Sequence, residues 1–207
     1  MSNTSKQVRR ITLTALLVAI IFLLAFTPLG YLTIGPIAAT TVQMPVIIGA
    51  ILLGPSTGTL LGAAFGLSAI MKVLLMPGAD PFATMAMNYS PLRYIVICVA
   101  SRVLMGWLTG LLGKALKSIP RLEGKKKAWV RYGVTGFVGS MLNTVFYLSL
   151  LWALAAQVIA QAYGTDISSV GGIVMTTAIS AGIPEAIVSS VVVTAICKAL
   201  DAVKKRA

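Results

Sequence analysis

Apolar residues run along this chain in long blocks, separated by short clusters of Gly, Pro and charge. Crossing a bilayer takes about 20 apolar residues in a helix, and the blocks have that scale. The first covers residues 11–26 and stops at Pro28-Leu29-Gly30, a helix-ending pattern. A loop at 27–41 follows, with breakers at Gly30, Gly35 and Pro36. The second block, 42–53, is short for a span, and Gly54-Pro55-Ser56-Thr57-Gly58 separates it from a third at 57–76. Two tilted or partly broken helices joined by a tight turn fit this better than one long helix. After a loop at 77–90 (Pro77, Gly78, Asp80, Pro81), Ser90 as cap and Pro91 as first helical residue open a fourth span, 91–113. The fifth, 129–159, is longer than a bilayer needs and predicts tilt or protrusion. A loop at 161–169 leads to the sixth, 171–200, interrupted by Pro184. The pattern therefore predicts an all-α integral membrane protein of six transmembrane helices forming one domain over 1–207.

Composition changes this picture only by supplying direction. Hydrophobic residues make up 57% and charged ones 11%, against about 25% charged in a soluble domain. The 17 Lys and Arg against 5 Asp and Glu would also suit a nucleic-acid binder. They gather, however, before the first span (Lys6, Arg9, Arg10), around 114–131 and after the sixth span. With both termini cytoplasmic, six spans put all these clusters inside, and the three outer loops carry no Lys or Arg. Five spans would split the terminal clusters across the membrane. Nucleic acid is thereby excluded as a partner, and the bilayer is the expected one. The N-terminal apolar run lacks a cleavage site of signal-peptide type.

Catalytic classes fall away for want of parts. Histidine is absent, Cys98 and Cys197 have no metal-ligand spacing, and the acidic residues are scattered at 80, 123, 166, 185 and 201. There is no phosphate-binding G-x-x-x-x-G-K-[ST] loop and no G-x-S-x-G. No catalytic residue, metal or cofactor is expected.

What remains is polar chemistry inside the membrane, where a charge costs about 2.5–3.5 kcal/mol on insertion scales. Lys72 near the outer end of span three, Arg93 just inside span four and Gln43 at the start of span two share the outer half. Asn143 and Tyr147 lie one turn apart on one face of span five, and Asn88 and Tyr89 precede Arg93. Together they predict an outward-facing pocket for a small anionic solute with hydroxyl or amide groups. The plainer reading has Lys72 and Arg93 snorkel to headgroups. Arg102 is about 180° from Arg93 around its helix, so both cannot line one pocket. Arg102 is expected to neutralise Glu185 between helices. Glu185, next to Pro184, is read either as that structural partner or as the pocket floor.

Small residues at i, i+4 spacing allow close helix packing: Gly58, Gly62 and Gly66, then Gly106 and Gly110, then Gly136 and Ser140. Ala15 and Ala19, one turn apart on a bulky first helix, either pack internally or offer a flat patch to a partner protein. The chain has no evident internal repeat of the kind many self-sufficient carriers show.

The segment Met44-Pro45-Val46-Ile47-Ile48-Gly49-Ala50-Ile51-Leu52-Leu53-Gly54-Pro55, with Gly58 and the 61–68 run, resembles the substrate-binding S components of energy-coupling factor (ECF) vitamin transporters. The likeness extends to the six-span layout, the basic inner loop and the Ala15/Ala19 pair. Met44 stands where many members have His, so no role of that His transfers. The resemblance implies that Ala15 and Ala19 dock on a coupling membrane subunit, which works with two cytoplasmic ATPases in a prokaryotic plasma membrane. It implies a vitamin held near the outer face under the first and third loops. The K-x-D-[FL]-S pattern sought in riboflavin binders is missing, and Lys72 with Arg93 suggests a carboxylate ligand: pantothenate first, folate next. A free-standing carrier of a small anion is the alternative.

Overall fold

The computed structural model describes residues 3–34, 37–77, 81–120 and 127–203. Gly35, Pro36, Gly78, Asp80, the centre of the basic connector and the last basic residues lie outside these. Helix α1 covers Asn3–Ala25, α2 Gln43–Leu53, α3 Pro55–Leu75, α4 Pro81–Tyr89 and α5 Pro91–Lys117. Then come α6 at Ala128–Tyr163, α7 at Val170–Thr177, a π turn at Ala178–Gly182 and α8 at Ile183–Val203. Five of the described helical segments are long and apolar enough to cross a membrane, and Gln43–Leu53 is a shorter apolar helix. At 1.5 Å per residue α2 is about 16 Å long, roughly half the hydrocarbon core. It works as a half-span, turning into α3 at Gly54, whose φ of 92° suits only a residue without a Cβ.

Two loops hold more order than their composition predicts. The first contains a hairpin, β1 (Tyr31–Ile34) against β2 (Ile37–Thr40), running from Tyr31↔Thr40 to Ile34↔Ile37. Alternation over four residues is too brief a signal to separate a strand from a loop. The third loop, expected to be irregular over 77–90, contains α4, which begins at Pro81, a residue whose fixed φ suits a first helical position. The chain remains an all-α membrane protein with about six principal helices, the hairpin being a small addition at one end.

Helices α3 and α5 cross in backbone contact. A Cβ on Gly58 would overlap the Gly106 carbonyl oxygen, one on Gly62 the Arg102 carbonyl oxygen, and one on Gly66 would lie 2.8 Å from the Cys98 carbonyl oxygen. Small residues are therefore a packing requirement, since lipid supplies no hydrophobic drive and close van der Waals contact must do so. Around this pair the buried apolar residues form two clusters. One holds Ile21, Val46, Leu61, Phe65 and Met105; the other holds Val73, Tyr94, Ile97, Leu151 and Val158. Leu16, Leu23, Leu67, Leu74 and Val191 stay exposed, as a lipid-facing surface requires.

The two long outer segments are both broken. Helix α6 loses helical geometry at Ala155 (φ −142°, ψ 29°), and Arg93 Nη1 reaches the Leu154 carbonyl beside the break at 3.3 Å. A side chain competing for a carbonyl is a recognised cause of such kinks. The sixth segment departs from α geometry in the π turn just before Pro184, where the missing proline N–H must be accommodated. At the opposite, basic end the helices are tied together. Arg10 bonds Ser56 and Thr57, and the Tyr132 hydroxyl donates to Asp201 Oδ2.

Candidate functional site

Several interior polar groups gather between α2, α5, α6 and α8 in a stretch we term the seam. Three residues of α6 make its spine: Ser140, Asn143 and Tyr147, spaced by three and four so that they share one face. Gln43 enters from the first residue of α2. Glu185 and Ser189 enter from one face of α8, one turn apart. Gln43, Ser140 and Ser189 are fully buried, while Glu185 is 7% exposed and Asn143 8%.

Gln43 is the hub. Its Nε2 donates to Glu185 Oε1 at 2.7 Å and to Ser140 Oγ at 2.8 Å, and lies 3.3 Å from Ser189 Oγ. The backbone N–H of Thr40, the last residue of the hairpin, donates to the same Glu185 oxygen at 3.1 Å. A carboxylate accepts only, so the amide nitrogen of Gln43 must face it, which turns Gln43 Oε1 the other way. Among the described residues that oxygen has no hydrogen-bond partner, and neither has Asn143 Oδ1. Leaving a buried acceptor unsatisfied costs about 1–3 kcal/mol. Both atoms are therefore poised for donors supplied from elsewhere.

At the far end of the seam stands a cation. Arg102 on α5 is 8% exposed. Its guanidinium carbon lies 4.6 Å from the Phe65 ring centroid and 5.0 Å from that of Tyr147. Arg102 Nη1 donates to the Cys98 carbonyl at 3.0 Å and to Ser101 Oγ at 3.3 Å. Aromatic faces favour a cation that has lost water. The expected Arg102–Glu185 neutralisation is not what the fold makes: Glu185 takes amide donors, and Arg102 sits between rings. The seam thus has an acid at one end and a cation at the other. Ser140, bonded to the same Gln43 nitrogen as Glu185, and Tyr147, beside Arg102, are about 10 Å apart along the helix axis.

The predicted residues divide into two groups. Gln43, Asn143, Tyr147 and Glu185 come together in the seam. Arg93, Tyr89 and Asn88 are exposed at the outer rim. There the Tyr89 hydroxyl donates to Gln157 Oε1, and Arg93 lies 5.7 Å from the Tyr89 ring centroid. These contacts strap the α4–α5 corner to the kinked end of α6. Lys72 is partly buried in the last turn of α3. Among the described residues no hydrogen bond joins Arg93 to Asn143, and Arg93 meets Leu154 and Tyr89 instead. Sequence reasoning missed Ser140, Ser189 and Phe65, and gave Arg102 the wrong neighbour. The Ser140/Asn143 and Glu185/Ser189 spacings, three and four residues, carried the signal for two of them. Ala15 and Ala19 are both exposed on α1.

A protein-family model described as "ECF transporter, substrate-specific component" matches residues 9–197. No curated protein matches the chain.

Proposed function

We propose that this chain, which belongs to the substrate-specific components of ECF transporters, holds its solute in the seam between Glu185 and Arg102. Membership makes it a multi-pass cell-membrane protein that binds a substrate and associates with an ECF module; it is not an enzyme. The finer reading is a vitamin, pantothenate first and folate second, imported with a coupling membrane subunit and two cytoplasmic ATPases. Ala15 and Ala19 form the docking patch for that subunit.

The observation carrying the site is the pair of buried acceptors, Gln43 Oε1 and Asn143 Oδ1, that have no partner among the described residues. A solute with hydroxyl or amide donors would remove that cost, and its carboxylate would neutralise Arg102. Such a solute carries a negative charge and several donors within about 10 Å, the span that the helical rise gives the seam. Pantothenate has one carboxylate, an amide and two hydroxyls and fits this demand. The ring system of folate asks for more width. Lys72, Asn88, Tyr89 and Arg93 stand along the outer approach, where cations attract an anion before it is desolvated.

A thermal-shift screen of the purified protein, without ATP, against a panel of water-soluble vitamins tests this. Binding stabilises by RT ln(1 + [L]/Kd), about 2.7 kcal/mol at a hundredfold excess over Kd. Pantothenate is expected to raise Tm by several degrees. A shift from a different vitamin alone would overturn the substrate, and a flat panel would overturn the vitamin reading.

A further inference from the structure

A second site stands at the opposite, basic end of the molecule, outside the seam. Helix α1 and the start of α3 enclose an open cleft of about 530 Å³, lined by Arg10, Ile11, Thr14, Ala15, Val18, Ser56, Thr57 and Leu60. Its polar part is built. Arg10 Nη2 donates to Ser56 Oγ at 2.6 Å and Thr57 Oγ1 at 3.0 Å, with Nε 3.3 Å from the same Thr57 oxygen. These contacts fix the guanidinium yet engage only Nε and Nη2. Nη1 and the hydroxyl hydrogens of Ser56 and Thr57 have no other acceptor among the described residues, so three donors remain for an anion.

The order of the lining residues says which anion. On α1 the cleft goes from Arg10 and Ile11 through Thr14 to Ala15 and Val18; on α3 it goes from Ser56 and Thr57 to Leu60. Apart from Ile11, both walls are polar at the basic end and apolar towards the bilayer interior. Arg10 to Val18 covers about 12 Å of helix. A free phosphate or a single acidic side chain would use the head of this cleft and leave the apolar length empty. A phospholipid matches both parts. From this gradient and charge we infer that the cleft binds an anionic phospholipid of the inner leaflet, its phosphate at Arg10, Ser56 and Thr57 and an acyl chain along Ala15, Val18 and Leu60. The lipid then covers Ala15, one half of the docking patch, so that lipid occupancy and partner docking compete for the same surface.

Native mass spectrometry of the delipidated full chain tests this, with phosphatidylglycerol, phosphatidylcholine, glycerol phosphate or inorganic phosphate added back. One phosphatidylglycerol is expected to be retained, with the other three at least about fivefold lower. Arg10→Gln is expected to lose the lipid at least about fivefold, while Arg9→Gln, which removes the same charge from the neighbouring exposed position, keeps it. Should Arg10→Gln unfold because its ties to α3 are cut, Thr14→Phe fills the cleft without altering charge and is expected to lose the lipid equally. Equal retention by Arg10→Gln and Arg9→Gln would show general surface attraction and overturn the site. So would retention by Thr14→Phe, equal binding of phosphatidylcholine, or capture of free phosphate alone. A lipid-free wild type whose coupling subunit protects the cleft residues would overturn the proposal in favour of a protein occupant.

Discussion

At the scale of single residues, the energetics centre on Asn143. Its side-chain oxygen is buried and has no partner among the described residues, a cost of about 1–3 kcal/mol that an apolar residue of similar shape would not incur. Asn143→Leu is therefore expected to leave the solute-free protein as stable or to raise its Tm by a few degrees, while weakening solute binding tenfold or more. Thermal melts with and without solute check both halves; a stability loss without a binding loss would make Asn143 structural. Arg102 gives a second expectation. Arg102→Met keeps the packing length between Phe65 and Tyr147 but removes the charge. It should weaken a carboxylate-bearing solute by at least tenfold and its neutral amide analogue much less, as titration calorimetry would show. Equal weakening of the two would contradict a charge role. Gln43, Arg102, Asn143, Tyr147 and Glu185 are polar residues in apolar runs, so the membrane cost already marked them, whereas the small hydroxyls of Ser140 and Ser189 do not stand out. The pairing was less legible. Which helix faces meet depends on crossing geometry, and that is how Arg102 came to be matched with Glu185 when rings on α3 and α6 hold it instead.

At the scale of elements, the crossing of α3 and α5 is the rigid part of the molecule. Gly62→Val puts side-chain atoms where the Arg102 carbonyl lies, so the helices must separate, and with them the backbone that carries Arg102. Loss of monodisperse protein on size exclusion is expected; a well-folded variant with normal melting would contradict the contact. Gly58, Gly62 and Gly66 announced a packing stripe, because only small residues at i, i+4 let membrane helices approach so closely. The partner helix, the hairpin and α4 were not announced. Short elements carry too few alternations to register, and the hairpin's contribution to the site is a backbone N–H, which no residue type encodes. The kink at Ala155 is likewise silent in sequence, having neither Pro nor Gly.

At the scale of the whole molecule, charge and length assigned the fold. The terminal and connector clusters of Lys and Arg flank the end where Arg10 meets α3 and Tyr132 meets Asp201; the positive-inside bias predicts that this end is cytoplasmic. The proposed solute seam and the proposed docking patch are then separate faces of one body. Replacing Ala15 and Ala19 by Trp is expected to leave solute binding within about twofold and abolish uptake in cells carrying the ECF module. Retained uptake would show that α1 is not the docking surface.

Central to solute binding is the supply of hydrogen bonds to interior acceptors that have no partner among the described residues. Equilibrium binding of radiolabelled pantothenate to three purified proteins tests it most directly: wild type, Asn143→Leu and Arg93→Ala. One solute per wild-type chain is expected, with affinity lowered at least tenfold in Asn143→Leu and changed by no more than about threefold in Arg93→Ala. The reverse order, with binding lost at the outer rim and kept without Asn143, would contradict it.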